Sequence, residues 1–254
     1  MPHIDNHNHI ILANIQEMVA AARAKNIQQY SITEHVSQFR PMKESLAFGS
    51  THSDGRIFNN LNEYRSEFSR IDESVLSGMK LMNGLEVDYS PRYESKVGQF
   101  VNQEEWDILL CSIHELGDST EIEHPRREVS DSSSASKLWH EYFGLEKSAL
   151  ESDFIPFKVL THPTRMMKGV TRLPDDFDDL LLELARTARR RDKALELNGK
   201  DIGFAPSVVR RLAAACSKAG CKVSLGSDSH YPKDVFGNME RAEDMMKEFK
   251  LQLI

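Results

Sequence analysis

His7 and His9 stand two residues apart in the run DNHNHIILAN, at the start of a chain whose histidines and carboxylates recur at the ends of apolar segments. On an extended strand, residues i and i+2 face the same side, so both imidazoles can reach one point, with Asp5 one step deeper on that face. Such a pair suits a chelate, although on its own it could equally decorate a surface. The rest of the chain decides between the two. SITEH closes on Glu34 and His35, NGLEVDY carries Glu86, LLCSIH ends on His114, KVLTHP leads to His162, and SLGSDSH supplies Asp228 and His230. Six of the ten histidines therefore fall at strand-like ends, where chance would scatter them. Burying an unpaired carboxylate such as Glu86 is costly, and a nearby cation offsets that cost.

Imidazoles and carboxylates without cysteine suit zinc, manganese or iron and argue against an iron–sulfur cluster. Glu86 and Asp228 supply anionic charge, and a carboxylate can bridge two cations. A centre of more than one divalent ion is therefore expected, a type that hydrolyses phosphate esters well. Arg165 and Lys168, in HPTRMMKG after His162, provide a bidentate guanidinium and a point charge for phosphoryl oxygens. Arg40 and Lys43 are secondary candidates of the same kind.

These residues need a scaffold that gathers strand ends on one face. Helical and strand patterns alternate along the 254 residues, which is the sequence form of an α/β fold with a mainly parallel sheet. The strands are expected at His3–His9, Gln28–Thr33, Met79–Val87, Asp107–Ile113, Lys158–Thr161, Ala194–Leu197 and Lys222–Gly226. Apolar residues at three- and four-residue steps predict helices over 14–25, 58–75, 136–150, 175–191, 206–220 and 236–250. Pro206 suits a first helical turn, and Gly220 suits a left-handed stop. Residues 36–57 and 117–135 read as long loops, of the kind that cover active sites. In a barrel of this type, functional groups collect at the carboxyl ends of the strands because all of those ends open onto one face.

The formal charge of −7, without a basic stripe, disfavours extended nucleic acid as a partner. The run RTARRRDK fits a solvated helix end, where cations are favoured. Cys111, Cys216 and Cys221 show no metal or redox spacing, no leader-like start is visible, and no apolar run reaches the length of a membrane span. A cytoplasmic protein that takes a small molecule is expected. There is no GxSxG elbow and no glycine-rich phosphate loop.

The ordered set HNH, TEH, GLE, SIH, THP and SDSH resembles the PHP superfamily, the polymerase-and-histidinol-phosphatase hydrolases, across essentially the whole chain. NGLEVDY, CSIHELG and SLGSDSHYPKDVFG are most similar to its histidinol-phosphate phosphatases. The resemblance implies a distorted (β/α)7 TIM-like barrel, with residues 1–254 as a single PHP domain. It implies a first metal held by His7, His9, Glu86 and Asp228, a second by Glu86, His114 and His162, and a third by His35 and His230. Glu86, His35 and Arg165 would be catalytic, and L-histidinol phosphate would be the leading substrate among small phosphate esters. The family's remaining third-metal ligand is a histidine shortly after the HxH pair, and here IILAN leads straight into a helix without one. The third site would then be empty, completed by water and Asn14, or completed by a loop residue such as His52. The alternatives are a PHP phosphatase or nuclease acting on a nucleotide, an amidohydrolase with a similar HxH start, and a metal-binding module without turnover.

Overall fold

The computed structural model describes residues 2–43, 55–117, 122 and 132–254. Seven parallel strands pair in strict chain order: β1 (Ile4–Asp5), β2 (Gln29–His35), β3 (Lys80–Asp88), β4 (Ile108–Ser112), β5 (Val159–Leu160), β6 (Ala194–Asn198) and β7 (Val223–Gly226). The helices among the described residues are α1 (Ile15–Ala24), α2 (Arg40–Lys43), α3 (Leu61–Phe68), α4 (Glu73–Leu76), α5 (Glu94–Val101), α6 (Ser132–Glu151), α7 (Phe177–Arg190), α8 (Gly199–Phe204), α9 (Pro206–Ala219) and α10 (Met239–Phe249). The chain is the expected (β/α)7 barrel, and every predicted strand is present within a few residues of its place.

The largest boundary difference lies at the first strand. Regular pairing with β2 covers only Ile4 and Asp5, not His3–His9. Beyond Asp5 the chain turns its hydrogen bonds across the seam of the barrel. Asn6 N donates to the Leu225 carbonyl at 2.8 Å, Asp228 N to the His7 carbonyl at 2.8 Å, and His9 N to the Ser229 carbonyl at 2.9 Å. A segment shared between β2 and β7 cannot stay in register with either one, so the ladder breaks where the histidines begin. Asp5 fastens the same seam rather than facing the centre: its carboxylate accepts from Ser227 N at 2.8 Å, Ser227 Oγ at 2.6 Å and Phe236 N at 3.0 Å.

Local chemistry accounts for the helices. Asn14 Oδ1 accepts from Glu17 N at 2.8 Å and caps α1, which buries Ile15, Met18, Val19 and Ala22 at helical spacing. Pro206 opens α9 and Gly220, at φ 66°, closes it, as expected. The predicted helix over 58–75 is two helices, α3 and α4, each with its own cap from Asn60 or Asp72. α6 starts at Ser132, so the serines read as loop form its first turn. Residues 36–43 are a short 3-10 turn and α2 rather than open loop, and Phe39 bridges to Phe58. Residues 44–54, with His52, and most of 118–131 lie outside the described residues. No described helix is long and apolar enough to cross a membrane.

Two apolar regions hold the barrel. The main core lies between strands and helices, and Trp139, Tyr64, Phe39, Phe157 and Phe177 are among its largest fully buried members. A separate small cluster of Met82, Ile108, Leu110, Val159 and Ala194 fills the lower barrel. Two residues per step along β3, the sequence runs from Met82 through Gly84 to Glu86 and Asp88. The same strand face thus changes from apolar plug to buried carboxylates as it nears the carboxyl end.

Candidate metal centre

Glu86 is fully buried and is surrounded by imidazoles. Its Oε1 lies 3.0 Å from His162 Nε2 and 3.6 Å from His114 Nε2, and accepts from Thr161 Oγ1 at 3.3 Å. Its Oε2 lies 2.8 Å from His35 Nδ1, 3.3 Å from His7 Nε2 and 3.5 Å from His9 Nε2. These side chains come from β3, from the ends of β2, β4 and β5, and from the segment after β1.

A second layer of carboxylates fixes the imidazoles from behind. Glu196 on β6 sets Oε1 2.9 Å from His7 Nδ1, while its Oε2 accepts from His162 N at 2.8 Å. Glu34 lies 3.2 Å from His9 Nδ1 and accepts from Ile10 N and His35 N. Asp88 lies 2.5 Å from His114 Nδ1. A carboxylate on Nδ1 holds the proton there and turns the Nε2 lone pair toward the centre, the arrangement a metal-ligating histidine uses. Close packing preserves it. A Cβ on Gly226 would stand 2.2 Å from Glu196 Oε1 and 2.4 Å from His7 Cβ, so only glycine fits there.

Toward the mouth the neighbours change sign. Asp228 Oδ2 accepts from Arg165 Nη2 at 2.7 Å, and Oδ1 from Lys200 Nζ at 3.0 Å. His230 Nδ1 lies 3.2 Å from the same ammonium. Both Asp228 and His162 adopt left-handed backbone, at φ 57° and 31°, a strained state that aims their side chains inward.

The electrostatics follow from this layering. Burial would push the Glu86 carboxyl up, but His35 and His7 and the hydrogen bond from His162 hold it well below the usual carboxylate range. Burial likewise opposes ionisation of Asp228, and Lys200 and Arg165 reverse the effect. His230 is driven well below its ordinary value by burial and by the positive charge of His9 and Lys200. Burial would lower His7 as well, yet Glu196, Glu86 and Asp228 raise it well above its ordinary value. The three carboxylates that favour positive charge at His7 would favour a divalent cation beside it in the same way.

Donor atoms converge within ligating distance of one another in three groups: His9, His35 and His230; His7, His9 and Asp228; and His35, Glu86 and His114. Among the described residues, His7 Nε2 and His9 Nε2 are buried and face Glu86 Oε2 at 3.3 and 3.5 Å without a well-formed hydrogen bond, and His162 Nδ1 is buried with none. Buried polar atoms left this way are costly unless something binds them. Imidazole and carboxylate donors that point at one another across 3–4 Å fit divalent cations. The eight residues predicted as ligands all stand in this one cluster.

The structure redraws the surroundings. Arg165, predicted at the rim of the cleft, is buried, and its Nε also donates to Asp201 Oδ1 at 2.6 Å and its Nη2 to Asn198 Oδ1 at 3.0 Å. It first serves as a clamp on two carboxylates, and it also lines a cavity of about 320 Å³ with Lys168, Lys200, Gly203 and Phe204. Asn14 is exposed and occupied as the α1 cap, so it does not complete a third metal site. Arg40 Nε donates to Asn59 Oδ1 at the surface. Glu196, Lys200 and Asp201 were not anticipated, although LELNGKD follows the same strand-end rule that located the histidines.

Comparisons with known proteins fit this geometry. A family model described as "PHP domain" matches residues 6–200. The histidinol-phosphatase of Lactococcus lactis subsp. lactis (strain IL1403) is 24% identical over 235 residues, which span 90% of this chain and 82% of that protein. The crystal structure of a histidinol phosphate phosphatase from Lactococcus lactis, complexed with Zn, L-histidinol and phosphate, matches with a TM-score of 0.81 at 19% identity, over 99% of this chain and 95% of that one. That of a putative histidinol phosphatase from Listeria monocytogenes matches with a TM-score of 0.73 at 19% identity, over 91% of this chain and 97% of that one.

Proposed function

The chain belongs to the PHP family, and from that premise we propose that it is a metal-dependent phosphomonoesterase that converts L-histidinol phosphate to L-histidinol and phosphate. The observation that carries the reading is the ring of buried imidazole and carboxylate atoms converging on one another beside a cavity walled by Arg165, Lys168 and Lys200. Relatives described as histidinol-phosphatases, one of them complexed with Zn, L-histidinol and phosphate, support the substrate. The PHP domain is taken to span 1–254, because β7 and the residues that follow it, Asp228 and His230, complete the same sheet beyond the matched segment.

His7, His9, Glu86 and Asp228 would hold one divalent ion and Glu86, His114 and His162 a second, with His35 and His230 available to a weaker third; zinc, manganese and iron suit these donors. When bound, the ions neutralise charge on the phosphoryl oxygens and lower the pKa of water. The chain's own residues set the rest. Glu86 lies between the two ligand sets and keeps them at a fixed spacing. Glu196, Glu34 and Asp88 hold the imidazoles in the ligating tautomer. Lys168 and Lys200 receive the outer phosphoryl oxygens, and Arg165 orients Asp228. His35, whose Nδ1 lies 2.8 Å from Glu86 Oε2, stands outside the two ligand sets, and its imidazole would serve as the proton source for the departing alkoxide.

The test is release of inorganic phosphate from L-histidinol phosphate, nucleoside monophosphates and a short oligonucleotide, each with added Mn or Zn and with chelator. Metal-dependent turnover is expected to be fastest on L-histidinol phosphate. A preference for the oligonucleotide would overturn the substrate, and turnover unaffected by chelator would overturn the chemistry.

A further inference from the structure

Both oxygens of Asp228, a residue placed among the metal ligands, face cations that belong to the chain itself. The two cations differ in freedom. Arg165 is 4% exposed and anchored to Asp201. The Lys200 side chain is 42% exposed, on a flexible four-carbon stem. Its ammonium lies 3.0 Å from Asp228 Oδ1 and 3.2 Å from His230 Nδ1, so it stands between two members of the ligand ring. The same Asp228 oxygen is 3.6 Å from His9 Nε2 and belongs to the group of His7, His9 and Asp228 that could hold an ion.

The backbone leaves only the side chain free to move. Asn198 Oδ1 caps Asp201 N at 3.2 Å, and the Gly199 carbonyl accepts from Asn238 Nδ2 at 3.0 Å. A Cβ on Gly199 would stand 2.2 Å from the Gly237 carbonyl, so the turn into α8 is packed too tightly to shift. Lys200 is always presented to Asp228.

We propose that Lys200 is a displaceable stand-in for a divalent ion at Asp228: its ammonium neutralises the carboxylate while that position is empty, and an ion can bind there only as the ammonium withdraws into the adjoining cavity. The inference rests on the metal-dependent reading of the centre. Two physical conditions make the states exclusive. An ammonium and a divalent ion on one carboxylate oxygen repel each other strongly in a buried site. An ammonium can only donate, so His230 Nδ1 must accept from it and the ring proton must sit on Nε2. Binding an ion through Nε2 needs the opposite tautomer, in which Nδ1 donates to the Asp228 carbonyl 3.1 Å away.

The experiment is a calorimetric titration of Mn²⁺ into chelator-stripped wild type, Lys200→Met and Lys200→Arg, with elemental analysis after dialysis to count the ions retained. Lys200→Met should bind the ion at Asp228 about tenfold more tightly, since a repelling charge is gone. It should therefore retain more manganese, while Lys200→Arg keeps the wild-type affinity. Unchanged or weaker binding by Lys200→Met, or equal tightening by Lys200→Arg, would overturn the proposal. Phosphate release from L-histidinol phosphate is measured on the same samples. Tightening in Lys200→Met with no hydrolysis by the metal-loaded wild type removes the proposed function and leaves the role of Lys200 standing, and hydrolysis by the wild type without tightening in Lys200→Met does the reverse.

Discussion

The inner and outer halves of the metal centre solve the problem of buried charge in opposite ways. Around Glu86 the neighbours are five imidazoles, three of them backed by a carboxylate: Glu196 behind His7, Glu34 behind His9, Asp88 behind His114. Around Asp228 the neighbours are an arginine and a lysine. The inner half has unmet donors and excess negative charge, and so it depends on bound cations. The outer half carries its own cations and can stay neutral without them. Metal dependence should therefore be steep inside and shallow at the mouth.

The largest effect expected is from Glu86→Gln. The change removes the anion shared by both inner ligand sets while keeping its size. It should remove at least one ion and lower kcat/KM by about a thousandfold or more, since charge stabilisation at such centres is worth several kcal/mol. Elemental analysis beside kinetics checks this, and wild-type metal content in the variant would erase the contrast between the halves. Next in size is Glu196→Gln, which touches no ion directly. Its amide can donate to His7 Nδ1 and so favour the wrong tautomer. Changes of this kind typically lower metal affinity about 10–100-fold, readable by competition with a chromophoric chelator. Wild-type metal affinity in Glu196→Gln would show that the inner carboxylates are not what organises the site.

His35→Ala lies between the halves. His35 shares one candidate ion group with Glu86 and His114 and another with His9 and His230. If the two proposed tight ions use other ligands, the variant should retain them while turnover falls about 10²–10⁴-fold, the range typical of a lost general acid. His7→Ala, by contrast, should lose an ion outright. Metal analysis of the two variants under the same dialysis separates them, and equal ion loss would move His35 into the tight set.

The same division shows what could be read from the sequence. The candidate ligands were legible because histidine is rare and because the strand-end rule is positional: six histidines at five such places need no coordinates. The fold was legible from the alternation of periods. What stayed hidden were features that depend on which strand lies beside which. Glu196 is an ordinary strand glutamate until β6 brings it against His7 across the barrel, 189 residues away. Lys200 and Asp201 look like helix-start charges until α8 is pinned against the loop before α10. The end of β1 was misjudged for a related reason. Its apolar and polar residues continue the strand pattern to His9, but its hydrogen bonds pass to β7 at the seam, which periodicity cannot reveal. Arg165 was read as a rim cation because the carboxylates that clamp it come from α8 and from the segment after β7.

The smallest effect expected tests the outer half with the metal removed. If the ammonium of Lys200 stabilises Asp228 when no ion is present, then Lys200→Met should destabilise the stripped protein and leave the loaded protein almost unchanged, because loading displaces the ammonium in either case. The pair is a partly exposed one, with the lysine side chain 42% exposed, so its contribution is discounted for solvent screening to about 1 kcal/mol or less. For a chain of this size such a change lowers Tm by about 2–4 °C. Metal binding itself should raise Tm in both proteins, by a free energy of about 3 kcal/mol at a hundredfold excess over Kd. The gap between loaded and stripped Tm should therefore be wider in Lys200→Met than in wild type. Differential scanning calorimetry of the four samples measures it. Equal gaps would mean that the ammonium does not substitute for an ion, and that the outer half needs cations as much as the inner half does.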